Sequence, residues 1–463
     1  MEKHSIDSYV LKPPQQPAPS TEGIKTQGTE ALNAATGSVR WRRLLFLAVL
    51  VALSLRMLAV GFLYQDQLNP RRGHWPFGYE TGRIARSIAL GEGFANPLFQ
   101  KTGPTAWMTP LYPYLVAAVF KLFGIYSSAS AVILLSLNSL FSALTCVPVF
   151  FMARGSFGPK VAMGAAWAWA VFPYAIYLSA DLIWETCLTT LLFTVLFWMT
   201  LELQRPNLAT RLIVWAGFGL LWGITALANP SVLALLPFLV GWICYRLHRI
   251  GQSWIQQAAV ALMALAIVCA PWFLRNYQTF HQFIPFRDNF WLEMHVGNNG
   301  DTSHWAPDAA HPSTSASEEE QYNRLGELDY MAAKRREVTS FIRGRPFFFV
   351  GMILRRIVFT WTGYWSFARQ YLADEPMDPP NIVLSTALTV LALFGLRRAF
   401  QAGNPTAVPY LFVLVVIPVI YYITTSQMPY RHRIDPQILV LATYGATEKF
   451  SAWRWRNLNL AGH

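Results

Sequence analysis

Charge is scarce in this chain: 13% of its 463 residues are Asp, Glu, Lys or Arg, against roughly 25% in an ordinary soluble domain. Cysteine is scarcer still. Cys146, Cys187, Cys244 and Cys269 all sit inside apolar runs without zinc-site spacing. They read as small packing residues, so neither a disulfide framework nor a metal site is supported. No internal repeat is visible, which leaves an inverted-repeat transporter without direct support. A basic stripe interleaved with polar helix faces is missing too, so the net charge of +12 does not argue for nucleic acid as a partner. Lys and Arg gather instead at the ends of apolar runs, the topology signal of a membrane protein.

What is present fits that reading. Hydrophobic residues make up 54% of the chain and aromatic residues 15%, with 18 Trp, an excess expected where rings line membrane interfaces. The apolar residues form blocks long enough to cross, or nearly cross, roughly 30 Å of hydrocarbon. Candidate spans are 44–63, 131–152, 161–178, 186–203, 211–228, 231–247, 255–273, 381–397, 405–425 and 433–449. Residues 1–40, rich in Pro, Gln, Ser, Thr and Gly, read as a disordered cytoplasmic tail. Arg42 and Arg43 precede the first span, which is a retained anchor and not a cleaved leader.

Basic turns at 153–160, 204–211 and 246–254 belong on the cytoplasmic side, and these spans allow all three to lie there. Counting 111–124 as a further span would turn every basic turn outward. That stretch holds Pro113 and Lys121 and reads as a helix on the outer membrane surface. The segment 346–362 receives the same reading, because Arg355 and Arg356 sit in its middle. The expected architecture is an all-α polytopic bundle of about ten transmembrane helices with external surface helices. Its transmembrane domain covers 41–449, external loops cover 64–130 and 274–380, and a basic cytoplasmic tail covers 450–463. The second loop has a Gly/Asn/Ser-rich stretch at 297–317 and a charged helical pattern at 318–343.

The unusual polar residues fall on the outward side. In the first loop, Glu80 stands near a helix start with Arg83 and Arg86 behind it, and a carboxylate there suits a general base towards an acceptor hydroxyl. The bland alternative is a helix cap or a pair with Arg83. The turn SADLIWET places Asp181 and Glu185 between apolar helices, a costly position unless the acids are paired, functional or wet. The segment MPYRHRIDP sets Arg431, His432 and Arg433 outside, against the positive-inside pattern. These cations suit a phosphate, or an ion pair with Asp435 or lipid headgroups. Lys101, Arg275 and Arg287 are weaker phosphate candidates. Arg56, inside the first span, is the one mid-membrane charge a transporter reading would use.

GYETGRIARSIA, the following PTAWMTPLYPYLVAAVFKLFG, WETCL and PYRHRIDP together resemble the GT-C superfamily of membrane glycosyltransferases. The resemblance is to the protein O-mannosyltransferase and lipid A aminoarabinose transferase group, including its galacturonosyltransferase-like bacterial members, and covers 44–449. It implies inverting transfer of one sugar from a polyprenyl-phosphate donor to an envelope glycan, lipid or protein acceptor, on the periplasmic face of a bacterial inner membrane. By this resemblance Glu80 is the base or positions the acceptor, Glu185 or Asp181 is the second acidic residue, and Arg431 and Arg433 face the phosphate. Family members commonly carry an Asp–Glu pair in the first loop, where this chain has Tyr79-Glu80. A divalent-cation requirement varies within the superfamily, and no outward His/Asp cluster demands one. Competing readings are a lipid-linked polysaccharide polymerase or ligase, and a lipid or sugar flippase or transporter.

Overall fold

A computed structural model describes residues 21–63, 77–300, 310–367, 369, 372 and 377–460, with side chains described between 40 and 447. Residues 1–20 of the expected tail, 64–76 of the first loop, 301–309 of the Gly/Asn/Ser-rich stretch and 461–463 lie outside the described residues. Among the described residues there are helices and no strand beyond an isolated bridge between Ala95 and Pro104. The protein is an all-α, multi-pass membrane protein.

The chain opens with α1 (Thr21–Leu63), whose backbone is helical from within the segment assigned above to the tail. Then come α2 (Tyr79–Ala89), α3 (Leu111–Phe123), α4 (Ser128–Leu144), α5 (Cys146–Phe157), α6 (Pro159–Ala170) and α7 (Pro173–Asp181). The middle of the bundle is α8 (Thr186–Leu203), the short α9 (Pro206–Ala209), α10 (Leu212–Ala228), a 3-10 turn at Pro230–Leu235 and α11 (Leu236–Arg249). After α12 (Ile255–Phe280) the second loop supplies α13 (Phe290–Gly297), α14 (Ala316–Leu325) and α15 (Glu327–Gly344). The chain closes with α16 (Pro346–Thr362), α17 (Asp378–Gln401), α18 (Ala407–Val416), α19 (Val419–Ile423), α20 (Met428–His432) and α21 (Asp435–Leu460).

Every expected span is helical, but they differ in continuity. Among the described residues six helical stretches are long and apolar enough to cross a bilayer, or seven if α6 and α7, bent by 41° at their junction, form one broken span, fewer than the ten expected. The stretches at Leu212–Ala228 and Ala407–Ile423 are shorter apolar helices. The expected surface segment Leu111–Phe123 is 13 residues long, below what a crossing needs.

The α6–α7 break explains Arg56. A helix interruption frees carbonyls that have no water to turn to inside a bilayer. Arg56, fully buried, donates to Ala170 O at 2.9 Å and Trp169 O at 3.2 Å, and also to Ser142 Oγ at 2.8 Å. Its charge is thereby spent on structure, which removes the feature a transporter reading would have used.

Small residues set the closest crossings, the usual device where lipid offers no hydrophobic drive between helices. A Cβ on Gly395 of α17 would lie 2.1 Å from Leu441 O of α21, and one on Gly445 would lie 2.5 Å from Leu391 O. The Trp excess is only in part interfacial: Trp169, Trp215 and Trp222 are fully buried in the main core. All four cysteines are buried free thiols, as their apolar settings suggested.

Candidate functional site

The loop helices and the helix ends near them enclose a cavity of about 560 Å³. Glu80, Asp181, Glu185, Arg287 and Arg433 all line it, so five of the residues singled out from the sequence converge from four separate segments. Lys101 and Arg431 are not among its lining residues.

Glu80 reaches the cavity because Gly78 permits a sharp approach. Gly78 has φ +66°, in the left-handed region, and a Cβ there would stand 2.6 Å from Ile183 O. Glycine therefore lets α2 start against the Asp181–Glu185 turn. Thr109 Oγ1 donates to Ala228 O at 2.9 Å and ties the later part of the same loop to the end of α10.

Burial pushes the Glu80 carboxyl up to about 7; its own backbone N–H opposes the rise, Glu293 of α13 adds to it and Arg83 opposes it. Such a group is half-ionised near neutral pH, the condition that suits a general base. His311 Nε2 lies 3.7 Å from Glu80 Oε1. Burial holds the His311 imidazole down to about 4, so it is neutral where Glu80 titrates. Glu293 is raised by burial as well, and the nearby Arg287 opposes that rise.

A second group of lining residues is bonded together, although Glu185 Oε2 and Arg433 Nε are buried with no hydrogen-bond partner among the described residues. Arg433 Nη2 donates to Glu185 Oε1 at 2.7 Å, and Asn229 Nδ2 donates to the same oxygen at 2.8 Å. Arg433 Nη1 donates to Tyr421 Oη at 2.5 Å, and its guanidinium lies over the Tyr421 and Tyr430 rings. Glu185 and Arg433 are 6% and 2% exposed, so each largely neutralises the other within the wall.

Arg431 and His432 turn away from the cavity. Arg431 Nε donates to Asp435 Oδ1 and His432 Nδ1 meets Asp435 Oδ2, both at 3.0 Å, and the His432 ring stacks on Trp169. The external cationic cluster read from MPYRHRIDP is thus divided. One arginine faces the cavity, and the other two cationic candidates share one buried carboxylate. Lys101 is exposed and paired with Glu92 at 2.5 Å. Arg275 donates to the Thr105 and Phe94 carbonyls and so braces the first loop.

Arg287 is different. It lines the cavity and makes no hydrogen bond or ion pair with any described residue. The sequence ranked it below Arg431, and partner accounting reverses that order.

Four further cavity residues were not singled out beforehand: Glu293, His311, Tyr364 and Asp378. The only sequence signals for the first two were a lone acid in the aromatic run FWLEMHV and a lone His-Pro in a polar loop. Among the described residues no group of three or more His, Cys, Asp or Glu side chains is arranged to hold a metal ion.

No protein-family model and no curated protein matches the sequence. Solved structures do match. The archaeal oligosaccharyltransferase AglB from Archaeoglobus fulgidus, in complex with an inhibitory peptide and a dolichol-phosphate, aligns over 91% of this chain and 52% of its own, with TM-score 0.53 and 15% identity. An Archaeoglobus fulgidus oligosaccharyltransferase tethered to an acceptor peptide aligns over 89% and 49%, with TM-score 0.53 and 16% identity. ArnT from Cupriavidus metallidurans bound to undecaprenyl phosphate aligns over 89% and 78% at 13% identity, but its TM-score of 0.38 adds nothing to the fold argument. Over the aligned residues the chain shares the fold of this archaeal oligosaccharyltransferase. It spans about half the length of the archaeal oligosaccharyltransferase it matches.

Proposed function

We propose that this chain is a membrane glycosyltransferase that moves one sugar, with inversion, from a polyprenyl-phosphate donor to an acceptor hydroxyl. The observation that carries the reading is one cavity lined both by Glu80, pushed up to about 7, and by Arg287, a cation with no hydrogen bond or ion pair to any described residue. The dolichol-phosphate in the AglB structure, on a shared fold, supports a lipid-linked donor in kind.

The chemistry follows from these groups. Ionised Glu80 takes the proton of the acceptor hydroxyl as its oxygen bonds to the anomeric carbon. The bond from that carbon to the phosphate oxygen breaks on the opposite face, which inverts the centre. Negative charge grows on the departing phosphate, where Arg287 stabilises it by charge-assisted hydrogen bonds. Arg433 contributes less, because Glu185 already holds it. Glu185 and Asp181 then serve the wall of the site and the placing of sugar and acceptor. The site works without the aspartate that usually precedes the first-loop glutamate, because Glu80 has both the reach and the shifted titration. In a bacterial cell this reaction belongs on the periplasmic face of the inner membrane, with an envelope glycan, lipid or protein as acceptor.

The test is turnover of a panel of radiolabelled polyprenyl-phosphate sugars by purified protein, with wild type compared to Glu80→Gln and Arg287→Ala. One donor turned over by wild type and lost in Glu80→Gln supports the reading. No turnover with any donor and acceptor pair defeats it.

A further inference from the structure

Among the groups that the proposed reaction leaves unused, His311 is the one aimed at the base. It comes from the second loop, far in sequence from α2, yet its Nε2 lies 3.7 Å from Glu80 Oε1. Its other nitrogen is fixed. The Ser313 backbone N–H donates to His311 Nδ1 at 3.1 Å, and the Ser313 hydroxyl lies 2.5 Å from the same atom. Nδ1 therefore acts as acceptor, and in a neutral ring the remaining proton sits on Nε2, facing the carboxylate. The ring is further held edge-on against Trp107, with centroids 5.8 Å apart. His311, Ser313, Trp107 and Glu80 all line the cavity.

We infer that His311 is a positioning residue for Glu80: its Nε2–H is presented to Oε1, which orients the carboxylate and leaves Oε2 for the acceptor hydroxyl. The inference rests on the reading of Glu80 as the base. The 3.7 Å separation is slightly longer than a formed hydrogen bond, a looseness common among catalytic groups before substrate draws them together. An ion pair is the competing explanation, and it fails because burial keeps the imidazole uncharged in the range where Glu80 ionises. The charged groups acting on Glu80 are Arg83 on its own helix and Glu293 on α13, with Arg287 beside Glu293. Glu318 of α14 acts on His311 and is itself paired with Lys334 of α15. None of these side chains donates a hydrogen bond to Glu80; besides the Glu80 backbone N–H, the His311 Nε2–H is the donor that faces the carboxylate among the described residues.

The sign of the effect is fixed by the direction of donation. A donor to the carboxylate favours its ionised form, so loss of the donor raises the Glu80 pKa and moves the acidic limb of the rate profile to higher pH. His311→Phe keeps a ring against Trp107 and removes the donor, whereas His311→Gln restores an N–H donor without a ring. For His311→Phe the expectation is a loss on the order of tenfold in turnover near pH 6 that recovers towards pH 8, with the donor KM unchanged. For His311→Gln the expectation is near wild-type turnover with the wild-type limb.

An infrared titration without substrate gives the same answer independently. The protonated-carboxyl band that Glu80→Gln removes should titrate near 7 in wild type and at higher pH in His311→Phe. A uniform loss of rate at all pH values in His311→Phe, with the band unmoved, would mean a purely structural role and overturn the inference. If His311→Phe fails to fold, His311→Gln decides: a displaced limb in that variant overturns it. The two layers separate cleanly. Full activity in Glu80→Gln removes the base itself, whereas an inactive Glu80→Gln beside a wild-type profile in His311→Phe removes only the positioning role.

Discussion

Two sets of residues line the cavity: Glu80, Glu293, His311 and Arg287 form the first, and Glu185, Arg433, Tyr421 and Asn229 the second. Both sets mix acids and cations. In the second set the groups are bonded to each other: Glu185 accepts from both Arg433 and Asn229, and Arg433 also reaches Tyr421, while Glu185 Oε2 and Arg433 Nε stay buried with no hydrogen-bond partner among the described residues. The neighbouring Arg431 and His432 are bonded to Asp435. In the first set the shortest approach of a Lys, Arg or His side chain to Glu80 is the 3.7 Å to an uncharged His311, and Arg287 acts on Glu293 without a hydrogen bond or ion pair to any described residue. A buried pair that satisfies itself is a strut, because separating it to hold a ligand costs the interaction it already has. A group pushed towards neutral pH and left without a partner is available for chemistry.

This contrast is open to direct attack. The largest effect is expected on the strut side, from Asp435→Asn. It leaves Arg431 buried with a neutral partner, and by analogy with broken buried pairs it should cost about 3–5 kcal/mol. The check is thermal unfolding in detergent, where a wild-type melting curve would remove the strut assignment. On the chemical side, Glu80→Gln should lower turnover by about 10²- to 10⁴-fold, the range for a general base, with its melting curve unchanged. In wild type the acidic limb should fall with a midpoint near 7, since below that pH Glu80 carries its proton and is unable to take another. Turnover measured from pH 5 to 9 reads it directly.

Arg287→Ala tests availability against proximity. Loss of one charge-assisted contact to phosphate is worth about 1.5–3 kcal/mol, or roughly ten- to hundred-fold in kcat/KM. The same donor assay on Arg431→Ala should instead show a stability defect. A larger catalytic loss per folded molecule in Arg431→Ala than in Arg287→Ala would reverse the contrast drawn here. Smallest of all is Lys101→Ala, where an exposed pair with Glu92 is removed and both activity and melting should stay within error of wild type.

Much of this was legible in the sequence. Blocked apolar runs marked each of the six long apolar helices among the described residues, because the bilayer imposes length on each segment separately. The bent α6–α7 pair was read as one continuous span, since nothing in 161–178 announces that Arg56, more than a hundred residues earlier, would satisfy the carbonyls at the break. Likewise, Glu80, Asp181 and Glu185 were visible as acids at helix ends, whereas His311 and Glu293 looked like ordinary members of a loop and an aromatic helix.

The sequence by itself therefore determined which segments are apolar enough for a bilayer, the helical class and the set of odd polar residues at the helix ends. Those are local properties, set by hydrophobic length and by the cost of unpaired charge in lipid. Only the tertiary structure decided which of those charges were already spent. Hydrogen-bond and ion-pair partners come from segments distant in the chain: Glu185 is held by Arg433, Glu80 has its neighbour in the second loop, and Arg287 acts on Glu293 without a hydrogen bond or ion pair to any described residue. Availability for chemistry is a property of that three-dimensional pairing.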